Sequence, residues 1–207
     1  KEIVAGRSAE LREIFELARK LKVENEFRLA RKLLAGAARN VLRGQSLEPA
    51  LMLKLAKELK NVKEFGLARR LLARARLEPS LGEDPKMRLE IFLQSALCTY
   101  KDPDLQADAR LDQALENLSQ SCEDIHTTLD QETLGITGAI HKRKWEIYNQ
   151  TSHLERALNY YLRGYDQGVE NDQGYNGINA AYILDLLAYQ EDQEADKAGV
   201  PKGSEER

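Results

Sequence analysis

The chain has little from which to build a sheet. Val, Ile and Thr together supply 21 of its 207 residues, whereas Leu and Ala supply 55. β-branched residues suit a pleated surface and Leu and Ala suit a helix, so the composition predicts an all-α protein. Long apolar runs are also missing. The longest stretch without a charge is the twelve residues Gln173 to Leu184, short of the roughly 18 that a membrane-spanning helix needs. Cysteine is scarce. Cys98 and Cys122 show no patterned spacing, which fits two free thiols in a reducing cytoplasm. The opening residues, Lys-Glu-Ile-Val-Ala-Gly, contain no signal-peptide core and no starting Met, which suggests a chain trimmed at its N-terminus. A chain of this length can bury roughly 70% of its unfolded surface, so it needs neither disulfides nor metals for stability.

What is present is charge, and it is unevenly placed. Residues 1–80 carry 19 Lys and Arg against 10 Asp and Glu, a net of +9, while residues 81–207 net −12. A basic half can mark nucleic-acid binding. Glu10, Glu13, Glu16, Glu24 and Glu26 are interleaved through it, which favours ordinary solvated helix faces.

The helices recur. Leu17 to Ala35, LARKLKVENEFRLARKLLA, aligns without gaps on Leu55 to Ala73, LAKELKNVKEFGLARRLLA, at a spacing of 38 with 12 of 19 positions identical. Each unit is two amphipathic stretches around a short polar turn, Val23 to Asn25 and Asn61 to Lys63. Ile14, Leu17, Ala18 and Leu21, like Met52, Leu55, Ala56 and Leu59, follow the i, i+3, i+4, i+7 spacing of one helix face. Phe27, Ala30, Leu34 and Ala37, with Phe65, Ala68, Leu72 and Ala75, mark the second helices. This pattern resembles the tetratricopeptide repeat, in which small residues let paired helices approach. Ala18 with Ala30, and Ala56 with Ala68, stand at those positions, and Pro79 follows the second helix as the family's terminal Pro does. The first-helix aromatic of that family is absent.

A third unit is degenerate. Leu93, Ala96, Leu97 and Tyr100 form one stripe. Pro103 is expected near the first turn of the next helix, which carries Leu105, Ala109, Ala114, Leu115 and Leu118. Ser119 to Asp130 reads as a loop. A fourth unit spans Glu132 to Tyr148 and Leu154 to Tyr165. Gly168 to Asn176 is a turn, and a last helix runs from Gly177 to about Gln190. The expected fold is a right-handed α-solenoid of tetratricopeptide-like helix pairs. It forms one domain over 1–190, with units at about 8–45, 48–80, 86–118 and 132–168 and a last helix at 177–190. A polar tail, 191–207, is expected to fray. In such an array each pair packs mainly on its neighbours, and the first helices line a concave surface.

The run Gly138-x-Ile140-x-Lys142, followed by a helix pair and Gly177-Ile-Asn-Ala-Ala181, resembles the TRAFs-binding domain. That domain is the helical-repeat regulatory region of the apoptosis signal-regulating kinases and of related bacterial proteins. The resemblance covers about Glu132 to Ala188 and implies a protein-interaction and regulatory module rather than a catalyst. No Gly-rich loop, HRD or DFG kinase signature is present.

Residue by residue, the chemistry points the same way. Cys122 and His126 stand four apart, a spacing that suits metal ligands, but they fall in a polar loop without a second pair. Neither cysteine shows a His partner with an orienting group. Glu123 and Asp124 are loop carboxylates. The GYNG run at Gly174 to Gly177 follows a helix rather than a strand, so it reads as a turn and not a phosphate loop. No metal or cofactor is expected. Gly135 and Gly138 cost roughly 1 kcal/mol each inside a helix, which close helix approach would offset, and Trp145 is expected to wedge between helix pairs.

The candidate binding residues are Lys142 and Arg143, a basic lip able to hold an acidic segment, together with Asn179, Tyr182 and Leu186 on the last helix. Asn179 could bind a peptide backbone, cap the helix or tie down the turn. The last helix, with AAYILDLLA at its centre, is apolar nearly all round. Ala181, Leu184 and Leu187 are expected to pack inward, leaving Ile183, Leu186 and Tyr189 as an exposed patch for self-association or a partner. The function expected is a protein–protein interaction scaffold or regulatory segment of a larger signalling or defence protein, binding a peptide or helix on the concave groove. The alternative is a nucleic-acid-binding solenoid that uses residues 1–80.

Overall fold

The computed structural model describes residues 2–121 and 124–200. Cys122, Glu123 and the end of the tail, with Pro201 and Gly203, lie outside the described residues. Among those described the chain is all-α, with nine helices packed in sequential pairs in the manner of a tetratricopeptide-like solenoid. It divides into two compact units, Lys1–Asp124 and Ile125–Arg207.

In the first unit α1 (Glu2–Val23) pairs with α2 (Phe27–Leu42), α3 (Pro49–Asn61) with α4 (Phe65–Ala75), and α5 (Pro85–Lys101) with α6 (Ala107–Ser119). A 3-10 turn, Pro79–Glu83, precedes α5. The starts are written in the sequence. Pro49 and Pro85 open their helices, where a missing N–H does no harm, and the Asp84 carboxylate accepts the Met87 N–H at 2.9 Å. Pro103 does not open α6. It sits in the turn before Ala107, because Asp102 ends α5 in an extended conformation and accepts the Asp104 N–H at 3.1 Å. Each turn between the first two helix pairs' partners places one residue in the left-handed region, Asn25 and Lys63, both with φ 62°. They are 38 residues apart, so the repeat holds at the level of backbone geometry.

Ala18, Ala30, Ala56 and Ala68 are all buried in one core with Leu34, Met52, Leu55, Leu59, Leu71 and Leu72, as the repeat pattern predicts. Polar ties then cross from pair to pair at near-constant spacing. Lys22 bonds Glu58, Lys57 bonds Glu90, and Lys60 donates to Gln94 at 2.8 Å. On the second helices Arg31 bonds Glu64, and Arg69 donates to Asp102 at 2.9 Å. The last two pairs are the same contact one repeat apart. Phe92 lies between the guanidinium groups of Arg76 and Arg88, at 5.3 and 5.1 Å. Cys98 is buried and its thiol is pushed up to about 12 by burial, which leaves it unreactive.

In the second unit α7 (Gln131–Tyr148) pairs with α8 (Thr151–Tyr165), and α9 (Tyr175–Ala198) packs on α8 and along α7. Asp130 caps α7 by accepting the Thr133 N–H at 2.7 Å. Asn149 ends it in the left-handed conformation. α9 is longer than expected. It begins at Tyr175 and continues to Ala198, through residues read above as tail, until Gly199 closes it with φ 74°. Every residue from Glu191 to Ala198 is compatible with a helix, and polarity alone does not end one.

Candidate functional site

The second unit is organised by glycines. A side chain at Gly138 of α7 would put its Cβ 2.9 Å from the Tyr161 ring, and one at Gly164 of α8 would come within 2.5 Å of the Asn176 side chain. At Gly177 of α9 it would come 2.8 Å from the Tyr165 ring. Real Cβ atoms do not approach so closely, so each glycine is a seat for the aromatic or amide opposite. Tyr161 and Asn176 are accordingly buried, and Tyr161 and Tyr175 meet edge to face, with centroids 6.2 Å apart.

Asn176 is the centre of a polar knot. Its amide donates to Asp172 Oδ2 at 2.8 Å and to the Gln131 carbonyl at 3.3 Å, and its own N–H donates to Asp172 Oδ2 at 2.8 Å. Gln131 in turn donates to the carbonyls of Gly164 at 2.8 Å and Gly168 at 2.6 Å. Partial desolvation raises the Asp172 carboxyl, but the N–H groups of Asn176 and Gly174 outweigh it and hold the group below its ordinary value. The knot closes the α8–α9 turn and so sets the rotation of α9. With Asn176 facing inward, Ala180, Ile183 and Leu187 follow at helical spacing on the buried side.

That rotation corrects the expected patch. Ile183 is fully buried, and Leu186 packs with Leu187 against the core of Leu154, Ala157, Tyr161 and Ala180. Ala181 and Leu184, expected inside, are exposed. The exposed row is instead Tyr175, Ile178, Tyr182 and Tyr189, with Ile178 70%, Tyr182 50% and Tyr189 63% accessible. The apolar run alone does not fix the phase of the helix. Asn176 sets the actual phase, and its polar character hides its place in the buried stripe. The GYNG run is the available signal.

Three of the five candidate residues come together beside this row. Lys142 of α7 donates to Asn179 Oδ1 at 3.1 Å, and its ammonium stands 5.0 Å from the centre of the Tyr182 ring. Asn179 donates to the Tyr175 carbonyl at 2.9 Å, so it neither caps the helix nor ties the turn. Burial, followed by the nearby Arg143, lowers the pKa of Lys142, against the pull of Glu146. Arg143 points elsewhere and bonds Glu146 at the surface. Leu186 lies beneath the row rather than in it. Trp145 is half-buried against the same core.

Sequence reasoning missed a second cluster. His141 stacks on His153 and on Tyr160, with centroids 5.8 and 5.6 Å apart. Burial lowers the His141 pKa to about 4, helped by His153, Arg156 and Lys144. No group of three or more His, Cys, Asp or Glu among the described residues could hold a metal ion, and no helix of the described residues is long and apolar enough to cross a membrane.

Residues 64–184, more than half the chain, match the family model described as "Tetratricopeptide Repeats-Sensor", TPR-S. The chain belongs to the TPR-S family. The match runs from the start of α4 to the middle of α9, and it includes the knot and the Lys142 cluster. It names a sensor domain of tetratricopeptide type, not specifically the TRAFs-binding domain, so the resemblance read from Gly138 to Ala181 stands at the coarser level of a tetratricopeptide-like region. TPR-S is a repeat domain, and no catalytic family matches. Comparison with curated proteins and with solved structures returns no match.

Proposed function

We propose that this TPR-S chain is a non-catalytic protein-interaction module, the regulatory or scaffolding segment of a larger signalling or defence protein, and that α7 and α9 present its partner-binding face. The observation that carries the reading is the exposed row Tyr175, Ile178, Tyr182 and Tyr189 on α9. Large apolar residues exposed together along one helix face mark interfaces. Lys142 and Asn179 supply polar anchors beside Tyr182, Arg143 stands apart in its pair with Glu146, and Leu186 supports the row from below. The likeness of 132–188 to the TRAFs-binding domain supports a regulatory role. The two unpatterned cysteines support a cytoplasmic setting.

The face is suited to a second copy of itself. Asp185 is exposed one turn beyond Tyr182, which Lys142 overlies. Two α9 helices laid antiparallel about a dyad near Tyr182 would set Lys142 of each copy towards Asp185 of the other, as a two-fold interface requires. The test is the solution mass by light scattering. The parent should rise with concentration from the 23.5 kDa of one chain towards twice that mass. Tyr182→Glu should stay monomeric. A parent that stays monomeric throughout contradicts the self-associating form of the proposal.

The nucleic-acid alternative rests on the basic residues 1–80. Lys22, Arg31, Lys57 and Arg69 are paired with Glu58, Glu64, Glu90 and Asp102, which takes four cations out of that field. RNA or DNA affinity falling steeply with salt would restore it.

A further inference from the structure

A pocket of about 490 Å³ opens between the start of α2 and the turn that joins α3 to α4, lined by Phe27, Arg28, Arg31, Asn61, Val62 and Lys63. Its size is that of a small-ligand site, and its lining is three cations, one amide and two apolar side chains. Arg31 is bonded to Glu64. Arg28 and Lys63 have no carboxylate partner among the described residues. Phe27 exposes 56% of its surface, although its repeat counterpart Phe65 packs against the core.

The equivalent place one repeat later shows what the pocket lacks. Adding 38 carries Arg31 to Arg69 and Glu64 to Asp102, and that pair is indeed bonded. It also carries Arg28 to Gly66. The absence of a side chain at Gly66 admits two carboxylates: a Cβ there would lie 3.3 Å from Asp102 Oδ2 and 3.5 Å from Asp104 Oδ2. The later junction is thus filled by the protein's own anions, with Asp102 fully buried. At the earlier junction Arg28 stands in place of the glycine, Glu64 is bonded to Arg31, the named lining residues include no carboxylate, and a cavity remains. Two of the cations that line it, Arg28 and Lys63, are left without a carboxylate partner among the described residues.

We infer that this pocket binds a small phosphate monoester with an apolar body. A carboxylate would offset one of the two charges, whereas a phosphate monoester carries close to two at neutral pH and offers three acceptor oxygens to Arg28, Arg31 and Lys63. The apolar body rests on Phe27 and Val62. The site lies in the first unit and does not depend on the α9 face.

Titration calorimetry on the full chain with phenyl phosphate tests this, with inorganic phosphate, benzoate and a single-stranded RNA oligomer as companions. Phenyl phosphate should saturate one site and bind more tightly than benzoate. Lys63→Gly should weaken it about tenfold or more without loss of helicity, because the residue occupies a left-handed turn position that glycine takes freely. Arg28→Gln should act similarly. Phe27→Ala should weaken phenyl phosphate severalfold and leave inorganic phosphate unchanged. The inference is overturned by no saturable binding, by equal affinity for benzoate, by a Lys63→Gly chain that is fully helical and binds as the parent does, or by binding of the RNA alone.

Discussion

Gly36 and Gly164 both lie inside the second helix of a pair, α2 and α8, yet their surroundings are opposite. Around Gly36 nothing stands within 4 Å of where a Cβ would be; at Gly164 the Asn176 side chain is 2.5 Å away. In the first unit, buried alanines and leucines hold the helices together, and ion pairs repeated at near-constant spacing tie one pair to the next. In the second, helices meet on glycines with a tyrosine or asparagine seated over each. The first arrangement tolerates variation, because any small residue permits the approach and any ion pair can tie the edge. The second is a lock-and-key fit in which the backbone itself is one surface, so each residue admits few replacements.

The largest effect should come from Gly164→Ala. The added methyl meets an amide that Asp172 and Gln131 hold in place. The variant should lose about 2–4 kcal/mol by overpacking and disrupted buried hydrogen bonds, less the fraction that alanine returns in helix propensity. Trp145 is the only tryptophan and lies in the second unit, so its fluorescence during urea unfolding reads this loss directly. An unchanged midpoint would show that the knot is slack.

Acid should act on the same unit. His141 is held near pKa 4 in the fold against an ordinary 6.5. The unfolded chain therefore binds a proton that the folded one refuses between those values. Stability is full above about pH 6.5 and declines by about 3 kcal/mol as pH falls to 4. His141→Phe, which keeps a ring on Tyr160, should flatten that slope in the Trp145 transition. An unaltered slope would assign the acid sensitivity to other groups.

Next comes Ala56→Leu in the first unit. Ala56 and Ala68 are both buried in the α3–α4 core, and the added branched side chain should destabilise it by roughly 1–3 kcal/mol. A helix melt identical to the parent's would place the repeat register elsewhere. The smallest effect has the opposite sign. Gly36→Ala should stabilise the first unit by about 0.5–1 kcal/mol, since the methyl enters open space and shortens the list of unfolded conformations. Destabilisation there would erase the contrast with Gly164.

The sequence displayed the first unit well because its packing uses Leu and Ala at helical spacing, which periodicity detects, and because its repeat is nearly literal. The family match begins only at residue 64, so the clearest internal repeat and the best family signal overlap little. In the second unit the existence and order of the helices were legible, and so was the reason for Gly138. The rotation of α9 was not. An apolar run such as AAYILDLLA has no polar face to fix its phase. The residue that fixes it, Asn176, does so through Asp172 in the preceding turn and through the backbone of Gln131, 45 positions earlier in the chain. Periodicity cannot report a contact of that separation. Lys142, Asn179 and Tyr182 were found as types, while their meeting depended on that rotation. The Phe27 pocket was invisible because it is defined by a difference between two junctions.

The central claim, that the α7–α9 face is an interface, is tested most directly by a charge exchange. Lys142→Glu and Asp185→Lys should each leave the chain monomeric in light scattering, because like charges then face each other across the dyad. Mixed in equal amounts they should restore a dimer, since each copy again presents the complement of the other. Two variants that dimerise separately as well as the parent does, or a mixture that stays monomeric while the parent dimerises, would contradict the account.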